Sequence, residues 1–344
     1  MKLQFDWPVV LQVSHSRIKS WRRCEMQHHY RYVQKLRKVK PPTAMFIGSG
    51  VHSILEAQAK RGKWEPELAQ FRSDFDKMFR EEREELGDLP AEIERIMKGY
   101  FEHYRNDGLL YVPRHRNART EIPIKVDLDA RTRWLGYIDR FPQDNEGRNW
   151  IMDHKTCRAI PDEDTRYSDL QLLFYCWLVP HLGYPKPDGV IWDYIRKKAP
   201  AIPEVLVKGG ISKAAKIDTT YAVYMATVYE KLGVDALPQY EEFAATLKGR
   251  EERFYRRIYL PSPSPTMVNN VVNDTLMTIE DIRARGATAQ VRNMGRDCKS
   301  CSYYQLCSAE VRGLDSDYIR KTEYTMKEKT DASEEKAVGP SDEE

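Results

Sequence analysis

The middle of the chain contains segments in which hydrophobic and polar positions alternate with period two. This alternation predicts β-strands that bury one face. The predicted strands are TEIPIKVDLDA, RWLGYIDRFPQ, RNWIMDHKT, DGVIWDYIRK and RFYRRIYLPSP. The sequence DNEG separates the second segment from the third and is typical of a turn, so these two strands should form a hairpin. We expect the fifth strand to close the sheet.

Helical periodicity occupies the regions before, between and after these strands. Residues 14–40 predict one helix, and Gly48 and Gly50 predict a turn before a second helix that carries His52 and Glu56. Further helices are predicted over residues 66–105, with a break near 87–90, and in TRYSDLQLLFYCWLV, TTYAVYMATVYEKLG, EEFAATLKGREE and MVNNVVNDTLMTIEDIRARG. The chain should therefore adopt an α/β fold, with a mixed central sheet flanked by helices.

The domain organisation follows from these elements and from the length of 344 residues. We predict one domain over residues 1–315, with helical insertions at about 60–110 and 199–250. Beyond about residue 315 the composition is polar. We expect residues 316–344 to form a tail that is disordered at its end.

Composition narrows the class of protein. Hydrophobic residues make up 41% of the chain and aromatic residues 11%, which is enough to bury a core. The mean hydropathy is −0.67, and no apolar run approaches the length of a membrane span. The N-terminal segment is interrupted by Asp6 and Pro8 and lacks the core of a signal peptide. We expect a cytoplasmic protein with no membrane partner.

The net charge of +3 is too small to indicate a class of partner, so only the local distribution of charge is informative. Residues 17–40 hold nine lysines or arginines and a single acid, Glu25. Such a run is commonly a solvated face. The interleaved Trp21, Tyr30 and Tyr32 favour the alternative, a surface for the phosphates and stacked bases of a nucleic acid.

The predicted hairpin brings candidate chemistry together. Asp139 and Asp153 lie equally far from the centre of the DNEG turn, so their Cβ atoms should be about 5 Å apart on one face. Lys155 is two residues beyond Asp153 and points the same way. Neighbouring carboxylates repel each other unless a cation lies between them, and Mg²⁺ prefers such oxygen ligands. An Asp-x-Lys triplet also occurs by chance in a chain of this length, and the facing Asp139 argues against chance here.

Two helices add further candidates. His52, four residues before Glu56, could supply a nitrogen ligand, although a helical histidine is commonly structural. Gln171 and Tyr175 share one face of the helix after the Asp-His-Lys strand. The alternative for this pair is a core tyrosine and an incidental glutamine.

The cysteines form a second constellation. Cys298, Cys301 and Cys307 have the spacing C-x2-C-x5-C, which is typical of metal ligands and not of disulfides. Cys24 would complete a four-thiolate site and so join the two ends of the chain. Zinc and an iron–sulfur cluster both accept four cysteines. Cys157 and Cys176 lie outside this pattern and should be small core residues.

In their order and spacing, the motifs HSILE, GYIDR, DHK and QLLFY resemble the RecB-type branch of the PD-(D/E)xK nuclease superfamily. The N-terminal SHSRIKSWRRCEMQHHYRY resembles the opening helix of that branch, and the resemblance covers residues 12–310. The sequence departs from the family pattern at Glu25, where proline is frequent, and in having Asp-His-Lys at the motif core. The resemblance implies a fold with a restriction-endonuclease-like core.

The resemblance also implies roles for these residues. His52, Asp139, Asp153 and the backbone carbonyl of His154 would bind Mg²⁺ or Mn²⁺. Lys155 would orient the attacking water or stabilise charge on the phosphate. Gln171 and Tyr175 would position that lysine and the nucleic-acid backbone. Glu121 matches a recurrent acid of the family, but we do not predict it as a ligand.

In iron–sulfur members of this branch, which include AddB-like subunits and CRISPR-associated exonucleases, one N-terminal cysteine and a C-terminal trio hold a [4Fe–4S] cluster. The resemblance implies the same for Cys24 and the trio, with zinc as the alternative. Arg292, Arg296 and Lys299 could extend a positive track for DNA. Tyr303 and Tyr304 would stack on bases or pack over the cluster.

The function implied is a metal-dependent DNA exonuclease of recombination, repair or phage replication. The region around GGISK resembles phage-encoded members of the group. A helicase or another recombination protein is a further partner that we consider. The alternatives are a non-catalytic DNA-binding or assembly subunit, and a structural zinc protein in which Asp-His-Lys is a coincidence.

Overall fold

The computed structural model describes residues 10–40, 43–110, 120–167 and 169–326. The strands are β1 (Leu11–Val13), β2 (Leu36–Lys38), β3 (Leu109–Leu110), β4 (Thr120–Asp129), β5 (Thr132–Arg140), β6 (Gln143–Asp144), β7 (Trp150–Cys157), β8 (Gly189–Arg196), β9 (Tyr255–Pro261) and β10 (Tyr324–Met326). The helices are α1 (His15–Arg23), α2 (Glu25–His28), α3 (Thr43–Arg61), α4 (Glu65–Asp76), α5 (Arg80–Leu86), α6 (Leu89–His103), α7 (Gln171–His181), α8 (Tyr221–Leu232), α9 (Leu237–Ala245), α10 (Pro265–Arg285), α11 (Tyr304–Arg312) and α12 (Ser316–Glu323).

The central sheet is mixed, as predicted. Strand β5 pairs antiparallel with β4 along its length and parallel with β1 at its start. Its end pairs antiparallel with β7, which runs parallel to β8, and β8 pairs antiparallel with β9. The predicted closing strand is therefore β9. The strands β7 and β8 are buried along most of their length, which is typical of parallel neighbours covered on both faces.

Helices cover the sheet on two sides. The larger core includes Ile151 and Trp192 from the sheet and Leu172 from α7, with residues of α1 and α10 around them. A second core packs α3, α4 and α6 against Ile195 and Phe254. The predicted insertion at 199–250 has a small core of its own, in which Tyr224 of α8 and Ala244 of α9 are fully buried.

The single helix predicted over residues 14–40 is wrong. Cys24 adopts an extended conformation with φ −168° and ψ 120°, which ends α1 and begins α2. A π-helical turn follows at His29–Val33, and β2 occupies Leu36–Lys38. The break turns Cys24 away from the regular helical path, which places it close to the C-terminal part of the chain.

The turn predicted at Gly48 and Gly50 is also wrong, because both glycines lie within α3. A Cβ at Gly50 would come 2.8 Å from the Ile93 side chain, and one at Gly48 would come 3.2 Å from Thr156 Oγ1. These glycines therefore allow α3 to approach α6 and β7 closely. The close approach carries His52 to the sheet.

Two helices begin or end at residues other than the predicted ones. The helix predicted in TRYSDLQLLFYCWLV begins only at Gln171, after a 3-10 helix at Glu163–Tyr167. The helix predicted in EEFAATLKGREE ends at Ala245, and Gly249 follows in a left-handed conformation.

The C-terminal part is ordered further than the predicted tail suggests. Residues 316–326 form α12 and β10, and β10 pairs antiparallel with β2. The remainder of the predicted tail, residues 327–344, lies outside the described residues. Within the described part of the chain, every helix is too short or too polar to cross a membrane.

Candidate active site

The hairpin strands β5 and β7 bring the two predicted carboxylates together. Arg140 lies opposite Met152, which centres the hairpin where the DNEG sequence predicts. In this register Asp139 faces Asp153, one step further from the turn. The backbone N–H of His154 donates a hydrogen bond of 2.8 Å to Asp139 Oδ2. That bond fixes one carboxylate oxygen of Asp139 against the neighbouring strand.

Lys155 points into a set of three acceptors. Its Nζ lies 2.9 Å from Asp153 Oδ2 and 3.5 Å from Asp169 Oδ2, and it donates to Gln171 Oε1 over 3.2 Å. Burial alone would lower the pKa of Lys155, but the charges of Asp153 and Asp169 raise that pKa well above its ordinary value. The ammonium group is therefore charged and held in one direction.

The start of α7 supports this lysine. Gln171 and Tyr175 lie one turn apart, and Gln171 Nε2 donates to the Tyr175 hydroxyl over 3.4 Å. Asp169 accepts a hydrogen bond of 3.2 Å from the Gln171 backbone N–H. A Cβ at Gly136 would come 2.6 Å from the Tyr175 hydroxyl oxygen, so only glycine leaves room for it. The residues form a polar row from Lys155 to β5.

A cation would fit beside Asp139. His52, Glu121 and Asp139 each offer one ligand atom, and these atoms lie within 4.8 Å of one another. His52 Nδ1 is 3.7 Å from Asp139 Oδ2, while His52 Nε2 is buried without a hydrogen-bond partner. Burial lowers the pKa of His52, which keeps its imidazole neutral and able to bind a metal. This donor set suits a divalent metal ion.

The electrostatics of Asp139 also favour a cation. Burial, together with the nearby charges of Asp153 and Glu121, raises the pKa of Asp139 to about 8. A divalent ion would relieve this repulsion. Asp153, the other predicted carboxylate ligand, is ion-paired with Lys155. The carbonyl ligand predicted at His154 stays a prediction.

Glu121 and Asp169 are the two residues of this arrangement that the sequence reasoning did not select. Glu121 has a φ of +49°, a conformation that few residues other than glycine adopt. It lies between the pairs Thr120–Arg140 and Ile122–Ile138, and therefore next to Asp139. The signal for Glu121 was its position on the preceding strand. Asp169 had no signal beyond its place before a helix. Glu56, in contrast, is ion-paired with Lys60.

The side chain of His154 points away from Lys155, toward the second core. Its Nδ1 lies 2.6 Å from Asp193 Oδ2, and the Tyr100 hydroxyl donates to the same oxygen over 2.6 Å. Arg257 Nε donates to Asp193 Oδ1 over 3.1 Å and its guanidinium also pairs with Asp107. Asp193 is fully buried, and the network holds β7, β8, β9 and α6 together behind the candidate site.

A cavity of about 250 Å³ contains the candidate catalytic groups. Its floor includes Asp139, Asp153 and Lys155, and one wall is formed by α1 and the turn after it. The basic residues of that wall are Lys19, Arg23 and Arg31. Part of the basic stretch thus faces the cavity.

Two of the three aromatic residues of that stretch, Trp21 and Tyr30, pack inside the protein. Trp21 is buried and donates to Asp281 Oδ2 over 2.9 Å. Tyr30 is buried and its hydroxyl donates to Glu310. Neither ring is available for stacking on bases. Tyr303 is buried against Tyr30 and Tyr324, so it packs, whereas Tyr304 is 45% exposed.

Cys24, Cys298, Cys301 and Cys307 line one small pocket of about 30 Å³. Backbone N–H groups point at two of the sulfurs, at 3.5 Å from Asn293 to Cys24 and 3.4 Å from Gly295 to Cys298. Among the described residues, no three of these sulfur atoms come within 4.8 Å of one another. Cys157 lines the larger cavity, and Cys176 packs against the main core.

Comparisons with known proteins give one informative result. The family model described as the PD-(D/E)XK nuclease superfamily matches residues 12–308. A search of curated proteins finds no match. Among solved structures, the crystal structure of SSO0001 is 15% identical, covering 86% of this chain and 95% of that chain. Its TM-score is 0.26.

Proposed function

We propose that this chain, which belongs to the PD-(D/E)XK nuclease superfamily, is a metal-dependent DNA nuclease. Its site would be built on Asp139, Asp153 and Lys155. The observation that supports this most is the set of acceptors around Lys155 directly beside the group His52, Glu121 and Asp139. A charged lysine next to a neutral imidazole and clustered carboxylates suits phosphodiester hydrolysis.

In the reaction, water adds to the phosphorus atom and the bond from phosphorus to the 3′ oxygen breaks. The 3′ oxygen gains a proton and a 5′-phosphate remains. His52, Glu121, Asp139, Asp153 and the carbonyl of His154 would hold Mg²⁺ or Mn²⁺. When bound, such an ion lowers the pKa of water and offsets the charge of the phosphate.

The protein's own groups would do the rest. Lys155 donates hydrogen bonds to the phosphate oxygens or to the attacking water, since its ammonium stays charged in this site. Asp169 and Gln171 keep the lysine pointing into the cavity. Lys19, Arg23 and Arg31, which also line the cavity, would contact the phosphates of the strand.

We propose further that the enzyme is an exonuclease acting in DNA recombination, repair or phage replication. The RecB-like resemblance of the motifs supports this role. The insertion at 199–250 resembles that of phage-encoded members of the group, which supports a phage origin. A helicase or another recombination protein would be a further partner in this role.

The four cysteines are proposed to hold a [4Fe–4S] cluster. The four cysteines line one pocket, and the resemblance of Cys24 and the C-x2-C-x5-C trio to the iron–sulfur members of the branch supports this proposal. Such a cluster would join α1 and α11 as a structural link. Zinc is the alternative.

The experiment compares end-labelled linear DNA with covalently closed circular DNA, in Mg²⁺, in Mn²⁺ and in EDTA. An exonuclease degrades only the linear DNA, requires the metal, and releases the label in an order that gives its polarity. Cleavage of the circle would show an endonuclease. Binding of DNA without cleavage in either metal would favour the non-catalytic subunit.

A further inference from the structure

One segment of the insertion exposes apolar side chains that the proposed mechanism does not use. Between the end of β8 and the start of α8, the chain reads AIPEVLVKGGISK. Val205 is 53% exposed and Leu206 47%, and Val207 is fully exposed. Ile202, just before them, is also exposed. An apolar cluster of this kind commonly marks an interaction site.

The segment is a small hairpin held in a defined shape. Val205 pairs with Ile211, Leu206 N–H donates to Gly210 O over 2.9 Å, and Gly209 N–H donates back to Leu206 O over 2.8 Å. We call residues 204–212 the apolar hairpin. Ile211 is buried in the core of the insertion, and its N–H donates to the Tyr240 hydroxyl over 3.0 Å. The tip is therefore presented outward by a packed base.

The insertion that carries the apolar hairpin begins directly after β8, the strand next to the one that carries the candidate catalytic lysine. β8 runs parallel to β7 with Tyr194 opposite Lys155, and both side chains line the cavity. Directly after β8, Lys197 N–H donates to Cys157 O over 2.8 Å. Arg196 at the end of β8 donates to both carboxylate oxygens of Asp218, at 2.9 and 2.8 Å, and so joins the two ends of the segment between β8 and α8. The insertion therefore leaves the sheet at the end of β8 that lies beside the candidate catalytic lysine.

The segment between β8 and α8 carries a positive net charge. Residues 197–216 contain five lysines and one acid, Glu204. Lys208 at the tip and Lys216 beyond it are exposed. Apolar side chains flanked by exposed lysines match the two surfaces of a nucleic-acid strand, its base faces and its phosphates.

We infer that the apolar hairpin is a DNA-contacting element, in which Val205, Leu206 and Val207 pack against bases while Lys208 and Lys216 contact phosphates outside the cavity. This inference rests on the proposed nuclease function and adds a second contact region to it. The hairpin would hold the strand beside the cavity and would take no part in bond cleavage.

The test uses the variant Leu206→Ser/Val207→Ser of the full chain, with Val234→Ser as control. Val234 is 61% exposed in the same insertion but outside the hairpin. The probe is a short fluorescein-labelled single-stranded DNA, titrated in EDTA so that no cleavage occurs. Loss of base contacts should raise Kd about tenfold in the double variant. The control should bind as the wild type does.

Two further measurements separate this inference from the proposed function. In Mg²⁺ the double variant should keep kcat and show a raised KM. Lys208→Gln/Lys216→Gln should lower the slope of log Kd against log salt by about 1.4 for this single-stranded probe. Unchanged DNA binding by both variants would overturn the inference, even if wild-type cleavage is strong. So would binding of the wild type, but not of the double variant, to anionic phospholipid vesicles in place of DNA.

Discussion

Lys155 illustrates how single residues set the properties of the candidate site. A buried ammonium is costly unless each of its N–H groups finds an acceptor. Here the ammonium group pairs with the carboxylates of Asp153 and Asp169 and donates to Gln171 Oε1, which come from β7 and from the segment that begins α7. Both the charge and the direction of the lysine follow from these contacts.

Asp169→Asn tests this positioning. The amide oxygen can still accept the hydrogen bond from the Gln171 N–H, so α7 should form normally, but the charge beside Lys155 is lost. We expect kcat for DNA cleavage to fall about tenfold with KM unchanged, because the lysine is less well oriented. Steady-state kinetics at saturating Mg²⁺ measure this. Asp169→Glu, which keeps the charge, should recover part of kcat, and an equal kcat in all three proteins would contradict the role.

Asp139 leads to a prediction for pH. Its pKa of about 8 in the folded protein exceeds the ordinary value of 3.8, so the folded state holds a proton that the unfolded state has lost. In the metal-free protein this stabilising contribution is complete below about pH 4 and is lost as the pH rises to about 8. A bound metal replaces the proton. The rise in Tm on adding Mg²⁺ should therefore be larger at about pH 9 than at about pH 6.

Differential scanning fluorimetry with and without Mg²⁺ measures that difference. Asp139→Asn carries no ionisable group at this position, so its small response to Mg²⁺ should not vary with pH. A rise in Tm of the wild type that is the same at both pH values would contradict the assignment of Asp139 as a ligand.

At the scale of elements, the hairpin of β5 and β7 was the most predictable part of the site. Period-two alternation on both sides of a turn sequence fixes the strands and the register, and the register places Asp139 beside Asp153. The sequence could not predict the contributions of α3 and β4. His52 reaches the site because Gly48 and Gly50 permit close helix packing, and Glu121 does so through a positive φ. Both are consequences of tertiary packing.

Behind the hairpin, the network around Asp193 should be important for stability. Its carboxylate is fully buried and faces Arg257, Tyr100 and His154. Asp193→Ala would remove one of the two carboxylates that pair with the buried guanidinium of Arg257 and would leave Asp107 as the other. We expect a loss of about 3–5 kcal/mol in the free energy of unfolding, measured by urea denaturation.

Tyr100→Phe is the graded comparison, because it removes the hydroxyl that donates to Asp193 and accepts from Arg257 but removes no charge. It should cost about 1 kcal/mol. Equal, small losses in both variants would mean that the network contributes little beyond ordinary hydrogen bonds.

At the scale of the whole molecule, contacts distant in sequence join the two ends of the described chain. Strand β10 pairs with β2, and Cys24 lines one pocket with three cysteines near residue 300. The sequence analysis predicted this meeting, because Cys24 would supply the fourth thiolate and the family resemblance implies the same set. The pairing of β10 with β2 could not be predicted, because strands of three residues carry no clear periodicity.

Replacement of Cys24 tests the proposed cluster. Wild-type protein purified without oxygen should be brown and contain iron and acid-labile sulfide. Cys24→Ser should lose most of the iron and unfold at a lower temperature, since the link between the chain ends is weakened. Cys176→Ser, at a site outside the pocket, should keep its iron. Zinc in stoichiometric amount, with colourless protein, would establish the alternative.

The central claim is that Asp139, Asp153 and Lys155 form a metal-dependent nuclease site. The most direct measurement is the cleavage of end-labelled linear DNA in Mg²⁺ by the wild type, Asp153→Asn, Lys155→Ala and the control Asp127→Asn, whose carboxylate is 59% exposed on β4 and paired with Arg133. We predict metal-dependent cleavage by the wild type and the control, and a loss of at least about a hundredfold in both site variants. Cleavage by the site variants at the wild-type rate would contradict the claim.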